Sequence, residues 1–382
     1  MRKTELDSLR GIAALAVLLY HATAASLPAW FDGAELLPVE GFWNNAMMYS
    51  PLRIFTAGPE AVWIFFALSG FVLVRSASRP GYRWDAYYPS RIIRLYLPVI
   101  GSVVVTALVF WLIPHRPTPE IARMVVGLPE TYTTASALAD ATLLTGTSTA
   151  NVPLWSLQWE VLFSLLLPVA VLLSRRFPWI SVSVGLLASV ASVWTGSLFL
   201  LYMPMFLIGA VLGYHWEAIA DRITRVHLSK SAVTVVGALL FVVAICLITI
   251  AYSLNFAVNR ESYWSVNLFG SAFTVSKILG MVLLLAVVML WAPLRSLLQL
   301  KPFVALGTIS FSLYLTHGPI VIGMLFLLGP GKTTTLVQIA LSLAVAVAFY
   351  FLVERGAHQL SRRVAQHIRT EQPSQELVSP AR

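Results

Sequence analysis

The sequence predicts an all-α integral membrane protein with about ten transmembrane helices and both termini cytoplasmic. Three observations predict it. Hydrophobic residues fill 58% of the 382 positions and charged residues only 11%, with a mean hydropathy of +0.78, whereas about a quarter of the residues in a soluble domain are charged. The apolar residues gather into runs of about 20, the length that crosses a bilayer. The basic residues alternate with those runs in the pattern that sets topology.

In chain order the runs are residues 9–27, 58–74, 95–113, 154–173, 177–194, 197–214, 231–253, 268–291, 303–328 and 335–353. Threaded alternately from a cytoplasmic N-terminus, they leave Arg53, Arg116, Arg123, Arg260, Lys277 and Lys332 outside and place the rest of the 26 Lys and Arg in the cytoplasm. The formal charge of +9 is then loop charge that fixes orientation, and no nucleic acid is expected as a partner. Two sizeable outer loops follow, 28–57 and 114–153. Residues 1–354 make one transmembrane domain and residues 355–382 a short, polar, frayed cytoplasmic tail. No soluble domain and no internal repeat is visible in the residue pattern.

Arg2, Lys3, a short apolar run and "HATA" resemble a cleavable signal peptide. Glu5 and Asp7 are foreign to such a leader, and Arg10 stands at the edge of the apolar run, so the segment reads as the first span. The single cysteine, Cys246, excludes an intrachain disulfide and a cysteine-based metal site. His115, His215, His227, His358 and His367 fall in loops or at edges without ligand spacing, and no metal is expected. "GPGKTT" at 329–334 imitates a phosphate loop, but Phe326 stands where its first glycine is required. "GAVLG" at 209–213 is a small-residue motif for close helix contact within the bundle.

The first span carries the first candidate groups. Arg10 and His21 are eleven residues apart, which returns them to within about 20° of one face and separates them by about 16 Å. Asp7, three residues before Arg10, can pair with it. Taken singly, Arg10 is an anchor and His21 an interfacial polar residue; other spans bring partners to the same depth. Glu160 lies about 9 Å below the outer end of its span, Tyr314 and His317 lie about 16 and 21 Å above the inner end of theirs, and His21 about 18 Å above its own. A carboxylate, two imidazoles and a phenol at one level make an acid/base site, because a general base needs a suitable pKa and an orienting neighbour. The bland alternative is a structural hydrogen-bond cluster. The basic loop "RSASRPGYRWDAYYPSRIIRLYLP" adds Arg91 and Arg94, spaced by three at a helix start, able to grip a polyanion such as a nucleotide phosphate.

These motifs carry a resemblance to the membrane-bound acyltransferase family 3, which includes O-antigen and exopolysaccharide O-acetyltransferases. It rests on "LDSLRGIAALAVLLYH" with Arg10 and His21, "VWIFFALSGFVL" from Val62, the pair Arg91 and Arg94, "LWSLQWEVLF" with Glu160, and "GTISFSLYLTH" ending at His317. It covers residues 6 to about 354. Phe311, where a tyrosine is frequent, and Ser164, where the pattern often continues with tyrosine, depart from it.

The resemblance implies a multi-pass protein of the bacterial inner membrane that takes an acyl group, usually acetyl, from cytoplasmic acyl-CoA as donor. The acceptor is a hydroxyl of a lipid-linked or exported glycan or glycolipid, reached among membrane lipids. His21 would serve transfer, and Arg10, Arg91 and Arg94 would serve donor binding. On this reading His21 is the general base, Glu160 orients its imidazole, and Tyr314 or His317 donates a hydrogen bond; a covalent acyl-histidine is the variant. The donor's pantetheine arm spans a distance of the order of the Arg10 to His21 separation, which puts transfer in the outer half of the membrane. A glycan or lipid transporter, with the same polar line as a substrate path, is the reading from a different class.

Overall fold

The computed structural model describes residues 4–27, 41–116, 121, 128–225, 229–254, 258 and 261–371. Its helices are α1 Thr4–Ser26, α2 Phe42–Tyr49, α3 Gly58–Ala77, α4 Trp84–Leu112, α5 Thr134–Thr142, α6 Leu154–Leu165, α7 Leu167–Arg176, α8 Pro178–Thr195 and α9 Leu198–Thr224. They continue as α10 Lys230–Leu254, α11 Tyr263–Leu290, α12 Ala292–Leu298, α13 Lys301–Thr308, α14 Ser310–Leu328, α15 Lys332–Phe349 and α16 Arg355–Glu371, with a π-helical turn, Tyr350–Glu354, joining the last two. Among the described residues nine helices are long and apolar enough to cross a membrane, and the count reaches ten if the bent pair α6 and α7 is one span. The chain is a multi-pass membrane protein.

Burial sorts these helices into an inner and an outer set. α3 and α14 are the most enclosed, whereas α10 turns Val235, Leu239 and Val242 outward at more than half exposure, as a lipid-facing helix does. α1 packs against α3, α13 and α14, and α3 packs along α9. Glycines make both approaches possible. A Cβ on Gly11 would strike the Gly307 backbone, and one on Gly70 or Gly209 would strike the Phe206 or Ala67 carbonyl oxygen. "GAVLG" therefore seats α9 on α3, the small-residue packing its spacing predicts.

Three expectations need correction. The fourth run is not one straight helix but bends by 64° between α6 and α7. Pro168 is the cause: it has no N–H for the Ser164 carbonyl, and its ring crowds the preceding turn. Tyr87 and Tyr88 of α4 take up the slack, their hydroxyls donating to the Ser164 and Leu165 carbonyls at 3.2 and 3.3 Å. The ninth run is likewise broken, at Ile309 between α13 and α14.

The third correction concerns the tail, which is not frayed after Arg355. α16 continues from α15 through the π turn and lies along α4 with Ala357 and Ser361 buried, and Ser361 Oγ donates to the Ser90 carbonyl at 2.8 Å. Charged residues on its outer face had hidden a docked helix. Parts of both expected outer loops, 28–40, 117–120 and 122–127, lie outside the described residues, as do 372–382 and His227.

Candidate active site

At one end of the bundle, α1, α3, α4, α6, α14 and the π turn enclose a cavity of about 120 Å³ that gathers charge. Arg10, Arg91 and Arg94 line it together with Asp7, Glu160, Glu354 and His358. The three-residue spacing on α4 turns Arg91 and Arg94 to the same side, as expected. Ser156, Glu160 and Ser164 repeat every four residues and so form one stripe of α6 facing those arginines. Arg91 donates to Glu160 Oε1 at 2.6 Å and to Ser164 Oγ at 3.2 Å, while Ser69 Oγ donates to the same Glu160 oxygen at 3.1 Å. Glu160 thus orients a guanidinium, not the imidazole it was expected to hold.

Replacing Glu160 by glutamine should therefore act on whatever Arg91 binds. If Arg91 holds an anionic donor, steady-state kinetics of the Glu160→Gln variant will show a severalfold higher donor KM with kcat little changed. A fall in kcat at unchanged KM would return Glu160 to the chemistry.

Glu354 closes the other side of this cavity. It accepts from both the backbone N–H and the hydroxyl of Ser312, and His358 Nε2 lies 3.6 Å from its Oε1. π turns concentrate at functional sites, and this one brings the buried carboxylate of Glu354 against the first turn of α14. The same helix carries Tyr314 and His317.

A second cavity of about 240 Å³ lies beyond, lined by His21 and Tyr20 of α1, Trp63 of α3, Trp155 of α6, Tyr202 of α9 and Tyr314 of α14. Val62 and Tyr314 line both cavities and so stand between them. Here the two histidines meet, with His21 Nδ1 3.0 Å from His317 Nε2. Fully buried His317 also has its Nδ1 2.9 Å from the Leu313 carbonyl.

For two neutral rings, that pair of distances fixes where the protons sit. A carbonyl only accepts, so His317 Nδ1 carries the hydrogen and its Nε2 keeps a lone pair. His21 Nδ1 must then be the donor, which leaves His21 Nε2 as the unprotonated nitrogen of a ring that faces the cavity. Tyr314 has less freedom. Its hydroxyl is 2.7 Å from Ser156 Oγ, and Ser156 Oγ donates to the Pro153 carbonyl at 3.1 Å, so the phenol's single proton goes to Ser156. Of the four groups expected at one level, His21, His317 and Tyr314 come together, while Glu160 shares the arginine cavity with Tyr314 and turns to Arg91 instead of to the histidines.

Several lining residues escaped the sequence reading. Ser156 was within reach of it, one helical turn from Glu160 on the same stripe. Ser69 carries no motif, and Glu354 and His358 lay in or beside a segment read as a solvated tail.

Comparison with known proteins agrees on the class of chemistry. The family model Acyl_transf_3, described as an acyltransferase domain, matches residues 3–355. Acyltransferase MdmB of Streptomyces mycarofaciens is 30% identical over 180 residues, 47% of this chain and 41% of MdmB, so the match spans less than half of either protein. No solved structure matches the chain.

Proposed function

This chain belongs to the acyltransferase-domain family, and from that premise we propose that it is an acyl-transferring membrane enzyme whose donor is acyl-CoA, most simply acetyl-CoA, and whose acceptor is a hydroxyl of a lipid-linked or exported glycan. The arginine cavity faces the cytoplasm, as do both termini, in a bacterial inner membrane. Arg10, Arg91 and Arg94 hold the donor phosphates, for which the planar guanidinium is well suited. The thioester passes the Val62 and Tyr314 boundary to reach His21.

The acceptor oxygen attacks the thioester carbonyl carbon while His21 Nε2 takes the hydroxyl proton. The tetrahedral oxyanion collapses, the carbon–sulfur bond breaks, and the CoA thiolate recovers the proton from the imidazolium. Products are the acyl ester and CoA thiol, with no net proton change. His317 serves as a positioning residue, since its Nε2 accepts from His21 Nδ1–H before and after the transfer.

The observation that carries this reading is the chain of hydrogen bonds from the Leu313 carbonyl through His317 to His21, which leaves a basic nitrogen on the cavity wall. Membrane vesicles supplied with acetyl-CoA labelled in the acetyl group test it. Label should move into lipid or glycan with the parent protein and be lost with His21→Ala at matched expression. Equal transfer by both would remove His21 as the base.

A further inference from the structure

The two cavities differ sharply in charge. The arginine cavity holds three guanidiniums and three carboxylates, whereas no Asp, Glu, Lys or Arg lines the histidine cavity. The ionic groups beside it are engaged behind that wall: Glu60, one residue from the lining Pro59, pairs with Lys277 at 2.6 Å and accepts from the Tyr252 hydroxyl at 2.8 Å, and buried Arg53, the cation that acts on Tyr20, lies over the Tyr252 ring at 4.8 Å. Lys277 Nζ in turn sits 5.7 Å from the Trp63 ring centroid. What remains on the wall is aromatic. Trp155 and Tyr202 meet at 5.0 Å and 42°, forming a corner of two ring faces, with Trp63 and Tyr20 also lining the space beside His21.

From this arrangement we infer that the histidine cavity is an acceptor subsite for one electrically neutral, saturated sugar ring, and that it discriminates against acidic sugars. The inference rests on the glycan-acceptor reading and narrows it. Aromatic faces are electron-rich, so they attract the weakly positive axial C–H groups of a pyranose and offer nothing to a carboxylate. A uronic acid would have to shed its hydration in a cavity without a cation on its wall, a cost that a neutral ring avoids. Rigid tryptophan and tyrosine walls also lose little conformational freedom on binding. Held against the Trp155 and Tyr202 corner, the ring presents its rim of hydroxyls toward the side where His21 lines the cavity. Sorting by charge then keeps the polyanionic donor head and the neutral acceptor in separate compartments, with Tyr314 between them.

The test uses the full-length protein in lipid nanodiscs. Binding of radiolabelled n-octyl β-D-glucopyranoside is measured with n-octyl β-D-glucuronide and 1-octanol as competitors, and binding of radiolabelled acetyl-CoA is measured separately. The glucoside should bind saturably, the glucuronide should compete at least about tenfold more weakly, and octanol should not compete. Trp155→Leu should raise the glucoside Kd by about tenfold, the scale of one lost aromatic contact, with acetyl-CoA binding unchanged as the sign of an intact fold. Trp155→Phe should recover most of the loss.

Equal competition by the glucuronide overturns the inference, as does glucoside binding indifferent to Trp155 or absent altogether. Displacement by octanol overturns it too, by making the cavity an acyl-chain site. Glucoside binding without acetyl-CoA binding strikes the donor reading and leaves this subsite standing.

Discussion

The double variant His21→Ala/His317→Ala is expected to transfer acyl groups no more slowly than His21→Ala alone. On the proposed mechanism His21→Ala removes the base and should cost about 10²- to 10⁴-fold in kcat, the usual contribution of a positioned acid/base group. On the same mechanism His317 acts only through His21: across 3.0 Å it accepts the Nδ1 hydrogen and so holds the ring in the tautomer whose Nε2 is basic. Its removal should cost about 10- to 100-fold, as loss of a supporting hydrogen-bond partner does. Once His21 is gone, nothing is left for His317 to orient, so the two losses are not additive.

His317→Gln sharpens the test, because its side-chain carbonyl oxygen can still accept from His21 Nδ1–H, whereas alanine cannot. Initial rates of label transfer from acetyl-CoA measure all four variants. If the double variant is slower than His21→Ala by the full His317 factor, His317 acts on substrate directly and the relay is wrong. An acyl-enzyme trapped without acceptor would instead assign the covalent route.

The largest effect on stability is expected at Gly209. A side chain there would drive into the Ala67 carbonyl at the closest approach of α3 and α9, and Gly70 opposes it by abutting the Phe206 carbonyl. Neither backbone can yield without separating the two helices, which carry Phe66, Phe71 and Phe206 in the main core. Gly209→Leu should therefore cost well over the ~1–3 kcal/mol of ordinary overpacking and lower the yield of folded protein severely. Gly356→Ala is the matched control. It lies on α16 with nothing within 4 Å of an added Cβ, and alanine there should be neutral or stabilising by up to about 1 kcal/mol. Thermal unfolding in detergent separates the two. Similar midpoints would mean that α3 and α9 pack less tightly than described.

Much of this was legible in the sequence because lipid imposes simple rules. Apolar runs longer than about 20 residues must be helical, and eleven-residue spacing puts Arg10 and His21 on one face whatever they touch. The similar depths of His21 and His317 allowed the meeting that the structure shows. Glu160 shows where that reasoning stops. Counting residues gives a height in the membrane but not a direction around the bundle, and one level holds room for two separate sites. The break after Leu165 was announced by Pro168, yet which groups would satisfy the freed carbonyls depended on Tyr87 and Tyr88, about 80 residues away. α16 was missed for a different reason: its many charges gave it the composition of a solvated tail, while a narrow stripe of small residues, Ala357 and Ser361 among them, was enough to dock it.

The hydrogen bond between His21 and His317 joins residues 296 positions apart. At the usual ~5–20 residues per second of synthesis, about 15–60 s separate the appearance of the two. α1 therefore leaves the ribosome with an arginine and a histidine on one stripe and none of its late partners, α13 and α14, yet made. For that interval the helix depends on lipid, on α3, or on the insertion machinery to shelter its polar groups. The paired histidines are consequently a property of the finished chain: the nascent protein can be threaded and anchored before the pair exists.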